Sequence, residues 1–436
     1  MKGLVQIFTY GCQMNGLDSQ KMYSELAGLG YDATDDTENA DVIILNTCSV
    51  RKKAEEKALS NLGRLKYLKN RKPSVTIIVA GCVAQQKGEA LIAKMPYIDA
   101  VIGTHQIHKL PEIIKKVKES HSQEIETAFS EFIPSLELIP DKSFIQPGHR
   151  AYINIMQGCD NFCSYCIVPY VRGREISRDW ENIIREVRIH AERGVKEIFL
   201  LGQNVNSYSG GISFGALLKK IAEVDGITRL RFTTSHPKDV SPELIDCFAR
   251  LGKLCSHIHL PFQAGSDRVL KAMNRDYTFD TYLLLIHNLR NARPDIAFSA
   301  DTMVGFSTET DDEFKRTLDL IEAVRFDVLY SFKYSPRPGT VAAKVEDDVP
   351  LAVKKERLSI LQTLQNKITL EINRSRAGQT FEVLVDGPSH KNASQIFGRT
   401  THNTIVNFEG PQTLIGREAH VRITRGNKNT LTGDLI

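Results

Sequence analysis

The sequence lacks long apolar runs, a secretion signal and a strong net charge. No stretch of its 436 residues approaches the ~18 consecutive apolar residues that a membrane-spanning helix needs, so an integral membrane protein is excluded. Met1 to Tyr10 lacks the charged, apolar and small-residue order of a signal peptide, and we expect a cytoplasmic protein. The formal net charge of +4 is by itself too small to indicate a nucleic-acid partner.

Cysteine is the informative residue type in this chain. Eight cysteines without a secretion signal do not indicate a disulfide framework, because the cytosol keeps thiols reduced. They are ligands or buried small residues. Cys247 lies in an apolar helical pattern and Cys255 lies just before a predicted strand, so we assign both to the core. The remaining six cysteines form two sets. The histidines show no metal-ligand spacing.

Strand and helix patterns divide the chain into four segments. Residues 1–120 alternate apolar strands and helices, which predicts an open parallel α/β sheet with helices on both faces. Residues 121–148 lack periodicity and contain prolines, so we predict a linker. Residues 149–376 hold six β–α units and a long helix opened by Pro350, which predicts a partial (β/α)6 barrel; a flat doubly wound sheet is the alternative. Residues 378–436 carry five short strands, which predicts a small closed all-β barrel.

The local set of cysteines consists of Cys159, Cys163 and Cys166, in the loop after the first predicted strand of the central segment. A β/α barrel places its active site at this end of its strands. A structural zinc site has four ligands and a cubane iron–sulfur cluster is also held by four thiolates. Three cysteines therefore leave one metal position open for a substrate. A zinc site completed by a distant histidine is the alternative interpretation.

The dispersed set consists of Cys12, Cys48 and Cys82, each of which closely follows a predicted strand. In a parallel sheet these loops emerge at the same carboxyl edge, where open α/β sheets bind ligands. Gly11 and Gly81 precede two of the cysteines and allow the backbone to approach a bulky cluster closely. We predict that this set holds a second cluster; three independently buried thiols are the alternative.

The spacing of the local set resembles that of the radical S-adenosylmethionine (SAM) enzymes. The resemblance implies that the three cysteines hold a [4Fe-4S] cluster whose open iron binds SAM. Electron transfer then splits SAM into methionine and a 5′-deoxyadenosyl radical. Tyr165, the aromatic residue before the third cysteine, takes the place that lies beside the cofactor adenine in that superfamily.

Four further residues are candidates for SAM contacts. Gly202 and Gln203 end the second predicted strand of the central segment, where the resemblance implies a contact with the methionyl amine. An ordinary strand-end turn is an equal alternative for this pair. Gln263 and Ser266 follow the fourth predicted strand, and we expect them to face the cofactor.

Longer motifs are similar to those of the bacterial tRNA methylthiotransferases over essentially the whole chain. The resemblance implies a second [4Fe-4S] cluster on Cys12, Cys48 and Cys82, which carries a sulfur that one SAM methylates, while another SAM supplies the radical. The implied reaction adds a methylthio group to ring carbon 2 of N6-dimethylallyladenosine, next to the anticodon of tRNA. The motifs are Gly11-Cys12-Gln13-Met14-Asn15, Asn46-Thr47-Cys48-Ser49-Val50-Arg51, Gly81-Cys82-Val83-Ala84-Gln85, Thr233-Thr234-Ser235-His236-Pro237, His259-Leu260-Pro261-Phe262-Gln263-Ala264-Gly265-Ser266-Asp267 and Val406-Asn407-Phe408-Glu409-Gly410.

The partners follow from the same resemblance. We expect the anticodon stem-loop of tRNA, SAM, a reductase as electron donor and a sulfur source, and we expect a monomer with no membrane partner. Arg172 and Arg174 lie in a basic run after the local set, where they contact tRNA phosphates or form a solvated turn. The terminal barrel resembles the TRAM RNA-binding module, and its candidate RNA contacts are Arg399, Arg422 and Arg425.

The sequence leaves two alternatives to this function, and one segment differs from the family's motif. A non-catalytic RNA-binding protein with structural iron–sulfur or zinc sites is the competing class. Within the family, relatives act on threonylcarbamoyladenosine in tRNA or on an aspartate of a ribosomal protein. The family usually has Pro-Gly where this chain has Ser307-Thr308, and losing a fixed φ and a glycine changes what that loop can do.

Overall fold

A computed structural model of the chain describes residues 3–49, 52–140, 148–389, 392 and 394–436. Residues 50 and 51 of the second cysteine motif and residues 141–147 of the predicted linker lie outside this range. Within the described ranges, none of the helices combines the length and the apolar character needed to cross a membrane.

The N-terminal sheet is parallel, as the sequence predicts, and has six strands. Its order, β2-β1-β3-β4-β5-β6, reverses between β1 and β3. Helices α1 and α4 pack on one face and α2 and α3 on the other, so β3 and β4 are buried on both sides along their whole length and are mostly apolar. The elements are β1 (Gly3–Thr9), α1 (Gln13–Ala27), β2 (Tyr31–Ala33), β3 (Val42–Thr47), α2 (Lys52–Arg71), β4 (Thr76–Gly81), α3 (Cys82–Lys94), β5 (Ala100–Ile102), α4 (Leu110–Ser120) and β6 (Glu124–Glu126).

The structure corrects the linker predicted over residues 121–148. Strand β6 lies in this segment and pairs in parallel with β5, and the short helix α5 (Pro134–Glu137) follows it. Strands β2 and β6 have only three residues each and no buried side chain, so no apolar periodicity marks them. They form because the neighbouring strands supply partners for their backbone N–H and C=O groups.

The central segment contains six parallel strands that follow one another in chain order. They form two hydrogen-bonded groups, β7-β10-β11 and β12-β13-β14, which meet where Leu230 pairs with Leu254. This order has no reversal and agrees with the predicted partial barrel. The elements are β7 (Arg150–Asn154), β8 (Met156–Gln157), α6 (Val168–Arg172), β9 (Ile176–Ser177), α7 (Trp180–Glu192), β10 (Glu197–Leu201), α8 (Phe214–Ala222), β11 (Arg229–Phe232), α9 (Pro242–Arg250), β12 (His257–His259), α10 (Asp267–Ala272), α11 (Phe279–Ala292), β13 (Ala297–Val304), α12 (Asp311–Val324) and β14 (Val328–Lys333).

A long helix leads from the central segment into the terminal barrel. Helix α13 (Leu351–Ser375) begins after Pro350 and packs against β14 and α12. Five strands then close into a barrel of order β15-β16-β17-β19-β18, which confirms the predicted closed all-β unit. They are β15 (Thr380–Pro388), β16 (Gln395–Thr400), β17 (Ile405–Glu409), β18 (Glu418–Gly426) and β19 (Leu431–Leu435).

Buried ion pairs fix the terminal barrel to the amino ends of the central strands. Glu197, fully buried at the start of β10, pairs with Arg150 and Arg231. Arg229, at the start of β11, pairs with Glu382 and Glu418 of the terminal barrel at 3.0 Å each. The carboxyl ends of the central strands, where the cysteine loops lie, therefore stay free of the terminal barrel.

Candidate metal centres

The dispersed cysteines lie at the reversal point of the N-terminal sheet. Cys12 precedes α1 just after β1, Cys48 follows β3, and Cys82 is the first residue of α3 after β4. Open α/β sheets bind ligands outside the carboxyl ends of their strands where the strand order reverses, because adjacent loops diverge there and leave a crevice. The reversal between β1 and β3 places that crevice between Cys12 and Cys48.

Two glycines allow these loops to approach each other. Gly11 has φ +126°, and a Cβ built on it lies 2.4 Å from the Cys48 Cβ and 3.0 Å from the Cys48 Sγ. Gly81 has φ +88°, and its Cβ lies 2.5 Å from the Thr47 carbonyl oxygen. No other residue fits either position without moving the cysteine loops.

A buried amide pair holds the loops together. The Asn15 side chain donates to Asn46 Oδ1 at 3.1 Å and to the Thr47 carbonyl at 3.0 Å, and Asn46 donates back to the Asn15 carbonyl at 2.8 Å. The Cys12 thiol donates to Asn15 Oδ1 at 3.3 Å. A hydrogen bond with Cys48 is the main cause that lowers the pKa of Cys12, which favours its ligand form, the thiolate.

The local set lies on a loop whose base is closed by the antiparallel pair β8 and β9. Each sulfur accepts one hydrogen bond: Cys159 from Asn161 Nδ2 at 3.5 Å, Cys163 from Arg275 Nη1 at 3.7 Å and Cys166 from the Val168 amide at 3.4 Å. Burial raises the pKa of Cys159 to about 11 and that of Cys166 to about 12. Metal binding to these thiols must therefore release protons.

The two sets are adjacent in space. Cys82 packs against Ile167 and Val171, which directly follow the local set. The Arg337 guanidinium, from the loop after β14, donates to the Ser49 carbonyl at 3.3 Å beside Cys48. The loops at the carboxyl ends of the N-terminal strands and those at the carboxyl ends of the central strands thus border one crevice. We call this crevice the shared mouth.

Unpartnered polar atoms around this mouth fit bound polar groups. In the described part of the chain, no three His, Cys, Asp or Glu side chains converge on a single metal ion. The buried Oγ of Ser49, Oδ1 of Asn204, Oγ of Ser235 and Nε2 of His236 have no hydrogen-bond partner among the described residues. Burial, aided by the Arg275 charge, lowers the pKa of His236 to about 2. Its neutral ring accepts from the Lys238 amide at Nδ1, so the free Nε2 carries the proton as a donor.

Four of the residues predicted to contact SAM have distinct surroundings in the structure. Tyr165 is half-buried beside Arg275, and Gln203 accepts from the Gly158 amide at 2.6 Å, which tethers the start of the local loop. A Cβ on Gly202 lies 2.5 Å from Met156, so this position requires glycine for packing. Gln263, in the loop after β12, adopts a left-handed φ of +64°. The cofactor contacts of these four residues stay predictions.

Ser266 is the N-cap of α10. Its hydroxyl accepts from the Val269 amide and donates to Glu313 Oε1 at 3.0 Å. Capping of α10 uses this side chain, and its cofactor contact stays a prediction. A separate observation concerns Ser307-Thr308, the segment where the family usually has Pro-Gly. Thr308 has φ +66°, a conformation that favours glycine, and its amide donates to Asp348 Oδ1 at 2.7 Å.

The predicted RNA contacts also need correction. Arg172 is buried, and its Nη2 lies 2.7 Å from Asp18 Oδ2, so the prediction of a phosphate contact is wrong for it. Arg399 is half-buried at the junction with the central strands, 3.5 Å from Asp386 Oδ2. Arg174, Arg422 and Arg425 are exposed and stay candidates. Basic residues cannot be sorted into surface and interface positions without the fold.

Composition and spacing do not identify several functional candidates that the structure shows. Arg275 and Asn15 contact cysteines directly, Asn46 holds Asn15 in place, and Ser235 and His236 border the mouth. Asn15, Asn46, Ser235 and His236 lie within the motifs that resemble the methylthiotransferases, which is the only available signal for them. Cys247 and Cys255 are buried, as predicted.

Comparisons with protein families match three parts of the chain. Residues 4–103 match the "Uncharacterized protein family UPF0004". Residues 153–321 match the "Radical SAM superfamily". Residues 374–436 match the "TRAM domain".

Curated relatives match over nearly the whole length. A protein of Syntrophotalea carbinolica named tRNA-2-methylthio-N(6)-dimethylallyladenosine synthase is 49% identical over 98% of both chains. A protein of the same name from Geobacter sulfurreducens is 52% identical over 98% of this chain and 96% of its own.

Solved structures share the fold at low sequence identity. The radical S-adenosylmethionine methyltransferase TsrM from Kitasatospora setae has a TM-score of 0.60 at 13% identity, over 79% of this chain and 75% of its own. The cobalamin-dependent S-adenosylmethionine radical enzyme OxsB has a TM-score of 0.54 at 14% identity, over 84% of this chain and 56% of its own.

Proposed function

We propose, because the chain belongs to the tRNA-2-methylthio-N(6)-dimethylallyladenosine synthase family, that it inserts a methylthio group at ring carbon 2 of N6-dimethylallyladenosine next to the anticodon of tRNA. The observation that carries the proposal is the contact of Cys82 with Ile167 and Val171. This contact brings three strand-end cysteines to the loop that bears the radical SAM motif. A sulfur donor and a radical source must act on the same carbon, so they must share a mouth.

The two cysteine sets are the proposed ligands of the family's two [4Fe-4S] clusters. Cys159, Cys163 and Cys166 hold the cluster that also binds SAM, and the dispersed set holds the second cluster. When bound, these groups supply the electron that cleaves SAM and the sulfur that is transferred. Adenine carbon 2 carries a hydrogen far too weakly acidic for a side-chain base near neutral pH, so no side-chain base is assigned.

The protein contributes orientation and exclusion of water. Cys48, Cys82 and Cys163 are buried, which keeps solvent away from the proposed clusters. The free Ser235 hydroxyl and the His236 Nε2–H are proposed partners for the polar groups of SAM, together with Tyr165 and Gln203. Ser49 is the corresponding candidate beside the second cluster.

We assign tRNA binding to exposed arginines on two parts of the molecule. Arg174 is exposed, pairs with Asp160 at 3.1 Å and lies beside the local loop, where it is placed to contact phosphates near the reacting base. Arg422 and Arg425 lie on β18 of the terminal barrel. The anticodon stem extends away from the reacting base, so a basic surface remote from the mouth can bind it.

The domain division and the remaining partners are also proposals. We assign residues 1–120 to the second cluster, 149–376 to the radical SAM core and 378–436 to RNA binding, which the three family matches support. A low-potential reductase as electron donor, a sulfur source, a monomeric state and a cytoplasmic location complete the proposal.

Nucleoside analysis of a strain that lacks the gene tests the function. Mass spectrometry is expected to find N6-dimethylallyladenosine without its methylthio group, and the full chain is expected to restore the group. A Cys82→Ala chain is expected not to restore it, whereas Cys247→Ala, which changes a buried core cysteine, is expected to restore it. An unchanged content of the methylthio nucleoside in the deletion strain contradicts the proposal. Loss of a methylthio group from threonylcarbamoyladenosine or from a ribosomal protein instead reassigns the substrate.

A further inference from the structure

We propose that Arg275 is a positioning residue that raises the reduction potential of the cluster on Cys159, Cys163 and Cys166 by donating a hydrogen bond to the Cys163 sulfur. The inference rests on the proposed cluster and not on the tRNA substrate. Arg275 lies shortly after α10, outside the cysteine motif. Its Nη1 is 3.7 Å from Cys163 Sγ and 3.3 Å from Tyr165 Oη.

The guanidinium is fixed in place by neutral groups. Its Nε donates to Tyr277 Oη at 2.6 Å, and its Nη2 donates to the Pro261 carbonyl at 2.7 Å. Tyr277 in turn donates to the Phe262 carbonyl at 2.9 Å. These contacts anchor Arg275 to the segment that follows β12, so its contact with Cys163 does not depend on a flexible side chain.

Arg275 differs from every other buried arginine of the described residues. The other five each form an ion pair with a carboxylate, whereas no ion pair joins Arg275 to an Asp or Glu of the described chain. A buried guanidinium stays charged, and a buried charge is stable only beside a compensating group. The nearest available anion is a cluster held by Cys163. The five pairs are Arg172–Asp18, Arg178–Glu186, Arg229–Glu418, Arg231–Glu197 and Arg357–Glu309.

The electrostatic consequence has a definite sign. Three thiolates leave an oxidised [4Fe-4S] cluster with one net negative charge and the reduced cluster with two. One electron enters from a low-potential donor, which is oxidised by one electron, and no bond forms or breaks in the chain. A fixed positive charge and an N–H···S bond stabilise the more negative state. Arg275 therefore makes the cluster easier to reduce.

The test is a redox titration of the full chain followed by electron paramagnetic resonance, with dithionite as reductant and no SAM. A Cys12→Ala/Cys48→Ala/Cys82→Ala background leaves only the local-set cluster, so that the signal has one source. Arg275→Gln is expected to lower the reduced-to-oxidised ratio at a fixed potential about tenfold, or about 59 mV for a one-electron couple. Arg275→Lys, which keeps the charge, is expected to shift less.

Arg293→Gln is the matched control, because Arg293 is half-buried and donates to the Leu251 and Leu254 carbonyls, away from the cysteines. It is expected to leave the potential unchanged. A potential equal to that of the parent in Arg275→Gln overturns the proposal. If SAM binding weakens while the potential stays constant, Arg275 is a cofactor ligand instead, which also overturns it.

A second measurement leaves Arg275 in place. In the reduced Cys12→Ala/Cys48→Ala/Cys82→Ala chain labelled with 15N-arginine, pulsed electron paramagnetic resonance is expected to detect a weak arginine nitrogen coupling to the one remaining cluster. The absence of that coupling contradicts the proposal even if Arg275→Gln fails to hold iron. Iron content distinguishes failure of the Arg275 proposal from failure of the proposed cluster ligands. A parent chain that holds fewer than about four irons per intact cysteine set contradicts the ligand assignment itself.

Discussion

The Arg172 guanidinium and the Asp18 carboxylate form a buried ion pair, with Nη2 and Oδ2 2.7 Å apart. Asp18 lies on α1, the helix that follows Cys12, and Arg172 ends α6, the helix that follows Cys166. The pair thus joins the helix after the dispersed set to the helix after the local set. It stabilises the shared mouth rather than contacting RNA.

Breaking this pair is expected to destabilise the protein. Removing one partner leaves a buried charge uncompensated, which costs roughly 3–5 kcal/mol, so Arg172→Gln and Asp18→Asn should each lower the free energy of unfolding of the iron-free chain by about that amount. Because both remove one interaction, the double variant should cost less than the sum. Arg174→Gln is the exposed control and should change stability by less than about 0.5 kcal/mol. Equal stabilities of the Arg172 and Arg174 variants would refute the structural role.

The exposed arginines are expected to control affinity for tRNA by binding its phosphates. Removal of one arginine–phosphate interaction should reduce the slope of log affinity against log salt by about 0.9 in magnitude. Arg174→Gln, Arg422→Gln and Arg425→Gln are each expected to show this decrease in filter-binding or fluorescence titrations. Arg185→Gln, exposed on α7, is the control. A salt slope that matches the parent chain in all three variants would show that tRNA binds elsewhere.

Gly11→Ala is expected to remove one cluster and to leave the other. The new Cβ lies 2.4 Å from the Cys48 Cβ, and φ +126° is unfavourable for alanine, so the Cys48 loop must move. Iron content should fall from about eight to about four per chain. Gly63→Ala is the control, because a Cβ there meets no atom within 4 Å and should stabilise α2 by up to about 1 kcal/mol. Full iron loading of Gly11→Ala would mean that the close approach is dispensable.

Acid is expected to weaken the junction that Glu197 forms with Arg150 and Arg231. Burial alone favours the protonated carboxyl, but the two guanidinium charges overcome this and lower the pKa of Glu197 to about 2 from 4.5. The folded pKa lies below the unfolded one, so the stabilisation is complete above pH 4.5 and is lost as the pH falls towards 2. It amounts to about 3 kcal/mol.

Acid denaturation of the iron-free chain, followed by circular dichroism, measures this contribution. Glu197→Gln should be less stable than the parent at neutral pH and should lose less stability between pH 4.5 and pH 2. Parallel pH profiles for the two chains would exclude Glu197 as the source.

The sequence predicts those features that depend on apolar periodicity and on local spacing. Strands β10 and β13 are examples, because a continuous or alternating apolar run marks each of them. The dispersed cysteines are predicted to meet because parallel strands expose their carboxyl ends at one edge. Strands such as β6, which is held by backbone pairing, carry no such pattern.

Partners that are distant in sequence account for the remaining differences. Arg172 is predicted to be a surface residue because its run is basic, but Asp18, far away in the chain, neutralises it inside the fold. Glu313, on another helix, accepts from the Ser266 hydroxyl, a contact that no local pattern indicates. Arg275 has no motif of its own, and only the fold brings it to Cys163.

The most direct test combines the loaded full chain with SAM, a low-potential reductant and tRNA that carries N6-dimethylallyladenosine. Nucleoside mass spectrometry should detect the 2-methylthio product from the parent chain. The Cys82→Ala chain should form none, although it should still cleave SAM, because the local set remains intact. Product formation by Cys82→Ala equal to that of the parent, or no product from a parent chain with both clusters loaded, would contradict the account.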